Sequence, residues 1–246
     1  KKASDNYEIS GLRVTRNSSF MGIRASIQYP DLISLGEISY NIYGDGRILV
    51  THQFYPGQKD LPNLPKIGMR MVIPKEFDDL MWFGNGPHES YWDRKASTRV
   101  DIFSGKVSEQ YHPYVRPQEN GNKTDVRWAT LRNETGDGLM LTGFMSLNAS
   151  HFVPEDYDDG FMKGPDGSIK ARGDKKGMHT IDLKENEIIH LDIDHLQMGV
   201  GGEDSWGAQP MDKYQIEPKE YSYQFMMIPL DPNDEPSEIY RDQSFK

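Results

Sequence analysis

Along most of the chain the apolar residues recur at every second position. In EISYNIYGDGRILVTHQF, Ile38, Tyr40 and Ile42 alternate with polar residues. The turn Gly44–Gly46 follows, and Ile48, Val50, His52 and Phe54 resume the alternation. Successive strand side chains point to opposite faces, and glycine at a turn permits positive φ, so this stretch reads as a β-hairpin. KIGMRMVIP repeats the pattern through Ile67, Met69, Met71 and Ile73. DVRWATLRNETGDGLMLTG predicts a second hairpin, with Val126, Trp128 and Thr130 before its turn and Leu139 and Leu141 after it. Two further strands are predicted through Ile189, Leu191 and Ile193, and through Tyr221, Tyr223, Phe225 and Met227. Many short strands joined by polar, glycine-rich connections predict an all-β, antiparallel sandwich.

Helical periodicity is absent from this reading except in VPEDYDDG. Pro154 suits a first helical position there, and the acids suit a helix N-terminus, so one short turn is expected. The Gly/Lys-rich stretch 160–177 reads as a long exposed loop. The tail Pro229–Lys246 carries three prolines and five acids and reads as a segment that leaves the fold. The sequence shows no repeat and no mid-chain linker, so one domain over residues 1–228 followed by an acidic Pro-rich tail (229–246) is the simpler division.

Composition narrows the chemistry. The 246 residues include no cysteine, which removes disulfides, thiol nucleophiles and Cys-ligated metal sites. With 38 acidic against 28 basic residues the formal charge is −10, against nucleic acid or an anionic membrane as the main partner. No apolar run approaches the roughly 18–20 residues that cross a bilayer as a helix. No compartment follows, since cytosolic and periplasmic proteins can both lack cysteine. The opening KKASDNYEIS reads like the middle of a longer protein.

Candidate chemistry is sparse. His190, Asp192 and Asp194 share one face of a predicted strand and form a conceivable metal patch. The plainer reading is a solvated polar face opposite Ile189, Leu191 and Ile193. Glu203 and Asp204 are neighbours, and neighbours usually point apart, whereas a retaining glycosidase holds its two carboxyl groups roughly 5–5.5 Å from one another. Glu89 and Glu119 are single acids in loops, expected to bond backbone amides or an arginine. GVGG (199–202) lacks the following Lys and helix of a phosphate loop. Sequence physics thus assembles no catalytic pair and no nucleotide site.

Three aromatic, glycine-rich segments remain: MWFGNGPHESYWDR (81–94), YHPYVRPQENGNKTDVRW (111–128) and MGVGGEDSW (198–206). Aromatic faces beside Asn, Glu, Asp and Arg suit carbohydrate, although Trp82, Trp92 and Trp128 are more simply core residues. In order and spacing these segments resemble the C-terminal domain, the small-chain or domain 5 type, of glycoside hydrolase family 2 β-galactosidases, over roughly residues 7–228. The resemblance implies a large antiparallel β super-sandwich of galactose mutarotase-like type. It also implies catalytic carboxylates in a separate TIM-barrel domain of the same polypeptide. Trp206 matches a sugar-contacting tryptophan at the rim of the active site, and Gly201, Gly202, Glu203, Asp204 and Ser205 match the loop that supports it. Family metal sites lie mostly in other domains, so neither metal nor cofactor is expected in this chain, and the partners implied are a galactoside and the barrel. An aldose 1-epimerase and a free-standing carbohydrate-binding module are the competing readings. The oligomeric state is left open.

Overall fold

A computed structural model of the chain describes residues 6–58, 61–157, 161–163, 169–171, 179–202 and 208–243. Its strands are β1 (Glu8–Arg16), β2 (Phe20–Tyr29), β3 (Ser34–Tyr43), β4 (Ile48–Tyr55), β5 (Lys66–Pro74), β6 (Asp79–Gly86) and β7 (Arg99–Lys106). They continue with β8 (Lys123–Arg132), β9 (Gly138–Ser150), β10 (Phe161–Lys163), β11 (Ile169–Ala171), β12 (Ile188–Gln197) and β13 (Tyr221–Leu230). One helix, α1 (Pro236–Gln243), closes the described chain.

The main path runs β1-β2-β3-β4-β13-β9-β8-β6-β7, and β12 branches from β9 to pair with β5. Neighbouring strands in these ladders are antiparallel. β9 makes the corner between the layers. Its first residues, Gly138–Thr142, pair with β13, and Ser146–Ser150 pair with β12. Gly143 sits at the crossing with φ +151°, where a Cβ would lie 3.2 Å from the Gln224 carbonyl oxygen. Only glycine takes that backbone geometry without strain.

The β5–β12 layer lies across the face of β4 and β13, and one core fills the space between them. Val50, Ile73, Leu131, Leu147, Leu191, Ile193 and Phe225 are all buried there. Both predicted hairpins form, β3–β4 and β8–β9, and the single turn expected at Pro154 is a 3-10 helix, Pro154–Tyr157. Trp82 and Trp128 are core residues at 1% exposure each, while Trp92 is partly buried against the core.

Two expectations are corrected. The tail stays with the fold over its described part. β13 runs on to buried Leu230, and Ile239 and Tyr240 of α1 pack with Trp128, Met140 and Ile228 in a second, smaller cluster. Arg132 fastens the turn before α1 by donating to the carbonyls of Asp231 (3.1 Å) and Asp234 (2.7 Å). The acids therefore mark solvent-facing positions on a docked segment. Within the 160–177 stretch, read as a loop, β10 and β11 pair as a two-stranded ribbon.

Candidate functional site

The backbone leaves β12 at Gln197 and is fixed residue by residue. Met198 N–H donates to the Pro65 carbonyl and Gly199 N–H to that of Tyr214, each at 2.9 Å. Val200 and Gly201 both donate to the Asp93 carboxylate, at 3.1 and 2.8 Å. An ionised acceptor makes these the stronger kind of hydrogen bond. Gly199 leaves room for that carboxylate, since a Cβ there would lie 2.5 Å from Asp93 Oδ2. Gly201 (φ +66°) and Gly202 (φ +98°) then adopt the left-handed region that glycine favours. Glu203, Asp204, Ser205 and Trp206 lie outside the described residues. Trp92, next to Asp93, meets Tyr214 edge-on at 5.9 Å. Segment 81–94 thus anchors the base of segment 198–206. Asp93 was missed in the sequence because a lone acid after a tryptophan carries no distinguishing signal.

The same segment is knitted to 111–128. Glu89 accepts from Arg94 (2.7 Å), from the Gly121 amide (2.8 Å) and from the Tyr114 hydroxyl, the arginine-and-amide role expected of it. Ser90 and Asn122 exchange bonds through N–H to carbonyl and side-chain amide to carbonyl, both at 2.8 Å. Ser146 donates to Asn122 Oδ1 at 2.9 Å. Asn85 donates to Thr124 and to the Asp125 carboxylate, and Lys95 pairs with Asp125 at 2.7 Å. Asp125 itself has φ +53°, at a bulge in β8. Lys123 is buried over the Trp82 ring at 5.1 Å and donates to the Gly121 carbonyl, and burial pushes its ammonium down to about 8.

Between these segments lies a half-open cleft of about 180 Å³, bordered by Trp92, Lys95, Asp125, Ser146, His195 and Gln197. Gln197 is buried, and its Oε1 has no hydrogen-bond partner among the described residues. His195 stacks on Tyr223 with centroids 5.6 Å apart and planes 10° from parallel, and burial lowers its pKa. Its ring is therefore neutral near pH 7. The cleft thus sets the Trp92 and His195 rings beside the Lys95–Asp125 ion pair and one open amide oxygen, while Asn122, Thr124 and Ser146 bond within the protein.

The polar face expected on β12 is corrected. Ile189, Leu191 and Ile193 enter the core as anticipated, but Asp192 (7% exposed) and Asp194 (3%) are buried too. β5 supplies the reason, because Arg70 stands opposite Asp192 in its register and Lys66, on the same face of β5, reaches both aspartates with its ammonium. Arg70 forms a fork on Asp192 at 2.6 and 3.0 Å, and Lys66 lies 3.1 Å from Asp192, 3.6 Å from Asp194 and 3.8 Å from Glu119. Burial alone would raise the Asp192 pKa, but Arg70 and Lys66 outweigh it and hold it low. Asp194 is pushed up to about 7, by burial first and by Asp192 and Glu119, against the pull of Lys66. Glu119 also bonds Asn148 at 3.4 Å, so its partners are a lysine and an amide rather than an arginine or the backbone. The conceivable metal ligand His190 does not close a set with the two aspartates among the described residues. This cluster is an internal ionic seam joining β5 to β12.

Fold and site together define an antiparallel β domain in which segments 81–94 and 111–128 come together with Met198–Gly202, the base of the third. The chain belongs to the β-galactosidase small chain family, whose model matches residues 3–227. It is 33% identical over 236 residues to the β-galactosidase of Priestia megaterium (strain DSM 319 / IMG 1521), covering 94% of this chain and 21% of that protein. With the β-galactosidase of Pseudoalteromonas haloplanktis it shares 34% identity over 164 residues, 66% of this chain and 14% of the other. The chain thus spans about a fifth or less of the length of these curated relatives. Among solved structures, the GalM/aldose epimerase homologue from C. elegans aligns at TM-score 0.41 and 11% identity, over 90% of this chain and 69% of that one.

Proposed function

We propose that the chain is the non-catalytic C-terminal β-sandwich domain of a retaining β-galactosidase, and that it completes the sugar site with Trp206. The observation that carries this reading is the family match over residues 3–227 to relatives named β-galactosidase, of which the chain spans only a minor part. In this reading the catalytic carboxylates belong to a TIM-barrel domain of the same polypeptide. Any cation the parent enzyme uses is held in its other domains.

The loop base supports the role given to Trp206. Asp93 fixes the amides of Val200 and Gly201, two positive-φ glycines follow, and Glu203, Asp204 and Ser205 precede the tryptophan in sequence. In this reading the Trp206 indole is the apolar platform for the C–H face of a galactoside, and Gln197 and Asp125 of the cleft are the hydroxyl partners.

The test uses the full-length enzyme. Trp206→Ala is expected to raise KM for lactose and to change kcat, a loss of about 1–3 kcal/mol in kcat/KM, with the fold intact by circular dichroism. Unchanged kinetics sinks the assignment of Trp206. The 246-residue chain alone is expected not to hydrolyse a chromogenic galactoside, and turnover by the purified chain overturns the non-catalytic reading.

A further inference from the structure

One face of the main sheet is apolar well past the layer that covers it. Cross-strand partners share a face in an antiparallel ladder, so the rows can be followed outward from the core. Phe225 pairs with Val50, Val50 with Tyr40, Tyr40 with Ile23 and Ile23 with Val14. The next row runs from Tyr223 through His52, Ile38 and Ala25 to Leu12. Burial falls steadily along these rows. Phe225 and Val50 are 3% and 1% exposed, Ile38 and Tyr40 are half-buried at the margin of the core, and Leu12 and Val14 are 68% and 60% exposed. Ile9 on the same face is 63% exposed and Met21 42%.

The opposite face of these strands reads Arg13, Thr15, Arg24, Ser26, Gln28 and Glu37, a solvent face with an Arg24–Glu37 ion pair at 3.4 Å. The two faces of one ribbon therefore differ as a core face differs from a surface. Isolated exposed apolar residues need no explanation, but a contiguous apolar patch marks an interface.

We infer that the apolar face of β1 and β2, centred on Leu12, Val14 and Ile23, is the docking surface for an apolar layer contributed by the longer polypeptide outside these 246 residues. Two observations select that occupant. The patch continues the rows of the domain's own core, so whatever covers it extends that core. The relatives also supply ample chain for it, since this sequence spans 21% of the Priestia megaterium β-galactosidase. The inference rests on the reading of the chain as part of a longer protein, and it does not depend on the role of Trp206.

The chain has no cysteine, so single thiols report cleanly on each face. In the full-length polypeptide, with any other cysteines replaced by serine, Leu12→Cys and Arg13→Cys place a thiol on the apolar and polar faces of the same strand. Maleimide labelling of native protein, normalised to the rate in denaturant, is expected to be at least about tenfold slower at Leu12→Cys than at Arg13→Cys, because reaction there must wait for local opening. Equal rates overturn the inference. Protection at Leu12→Cys that disappears on dilution also overturns it, since the occupant is then a second copy. Galactoside hydrolysis by the same samples separates the two readings. An active enzyme with an unprotected Leu12→Cys thiol removes the docking surface and leaves the β-galactosidase assignment. An inactive polypeptide with a protected thiol does the reverse.

Discussion

The two ends of one sheet face carry the same kind of sequence and meet different fates. At β4 and β13, Val50 and Phe225 lie beneath the β5–β12 layer and are all but sealed from water. At β1, Leu12 and Val14 occupy equivalent rows with equivalent alternation and stand in solvent. The difference is the reach of the covering layer, which is two strands wide. Alternation fixes which side of a strand is apolar, and only a second layer decides whether that side is buried. The covering layer also has an internal ionic seam, so its hold on the core depends on Lys66, Arg70, Asp192 and Asp194 as well as on apolar packing.

Four substitutions sharpen this contrast. Phe225→Ala at the covered end is expected to cost about 3–5 kcal/mol in urea unfolding of the chain, through lost transfer energy and the cavity left behind. A cost below about 1 kcal/mol would place that end of the face outside the core in solution.

Gly68→Ala attacks the covering layer. A Cβ at Gly68 would sit 1.8 Å from Asp194 Oδ1, so β5 and β12 must separate, with an expected loss of about 1–3 kcal/mol by the same measurement.

Asp194→Asn tests the seam by pH. Asp194 has a native pKa of about 7 against an ordinary value of 3.8, so over that window the folded form keeps a proton that the unfolded chain has released. Stability from this group is full below about pH 4 and declines as pH rises to about 7. Relative to Asp194→Asn, the unsubstituted chain should therefore lose stability with rising pH, by up to about 1.4 kcal/mol per pH unit. Parallel curves for the two proteins would show that Asp194 does not titrate in that window.

Leu12→Ala at the bare end is expected to change the stability of the 246-residue chain by no more than about 0.5 kcal/mol, as for an exposed position. A larger loss there would mean that the bare end is already covered.

Much of the fold was legible where the alternation is flanked by turn glycines. The β3–β4 hairpin could be read from Ile38 to Phe54, and β8–β9 from Val126 to Leu141, because a half-buried strand and a tight turn each leave a local signature. β6 was hidden inside MWFGNGPHESYWDR. No strand was read there, and Gly84 lets the backbone of β8 approach, a Cβ there standing 2.9 Å from Val126 Cα. α1 was hidden by prolines and acids, although Pro236 opens the helix and Ile239 and Tyr240 dock it. Of the candidate site, the three segments were legible by composition and by their resemblance. The carboxylate that joins two of them, Asp93, was not.

Alternation, turns and the antiparallel β class were set by the chain's own local order, since these depend on near neighbours in sequence. Tertiary structure alone decided that Asp192 and Asp194 are buried beside Lys66 and Arg70, that Asp93 holds Val200 and Gly201, and that Leu12 lies open while Phe225 does not. Each of these depends on which distant strand comes alongside. A polar residue on a strand has the same period whether it faces water or an oppositely charged neighbour, and only the packed partner distinguishes the two.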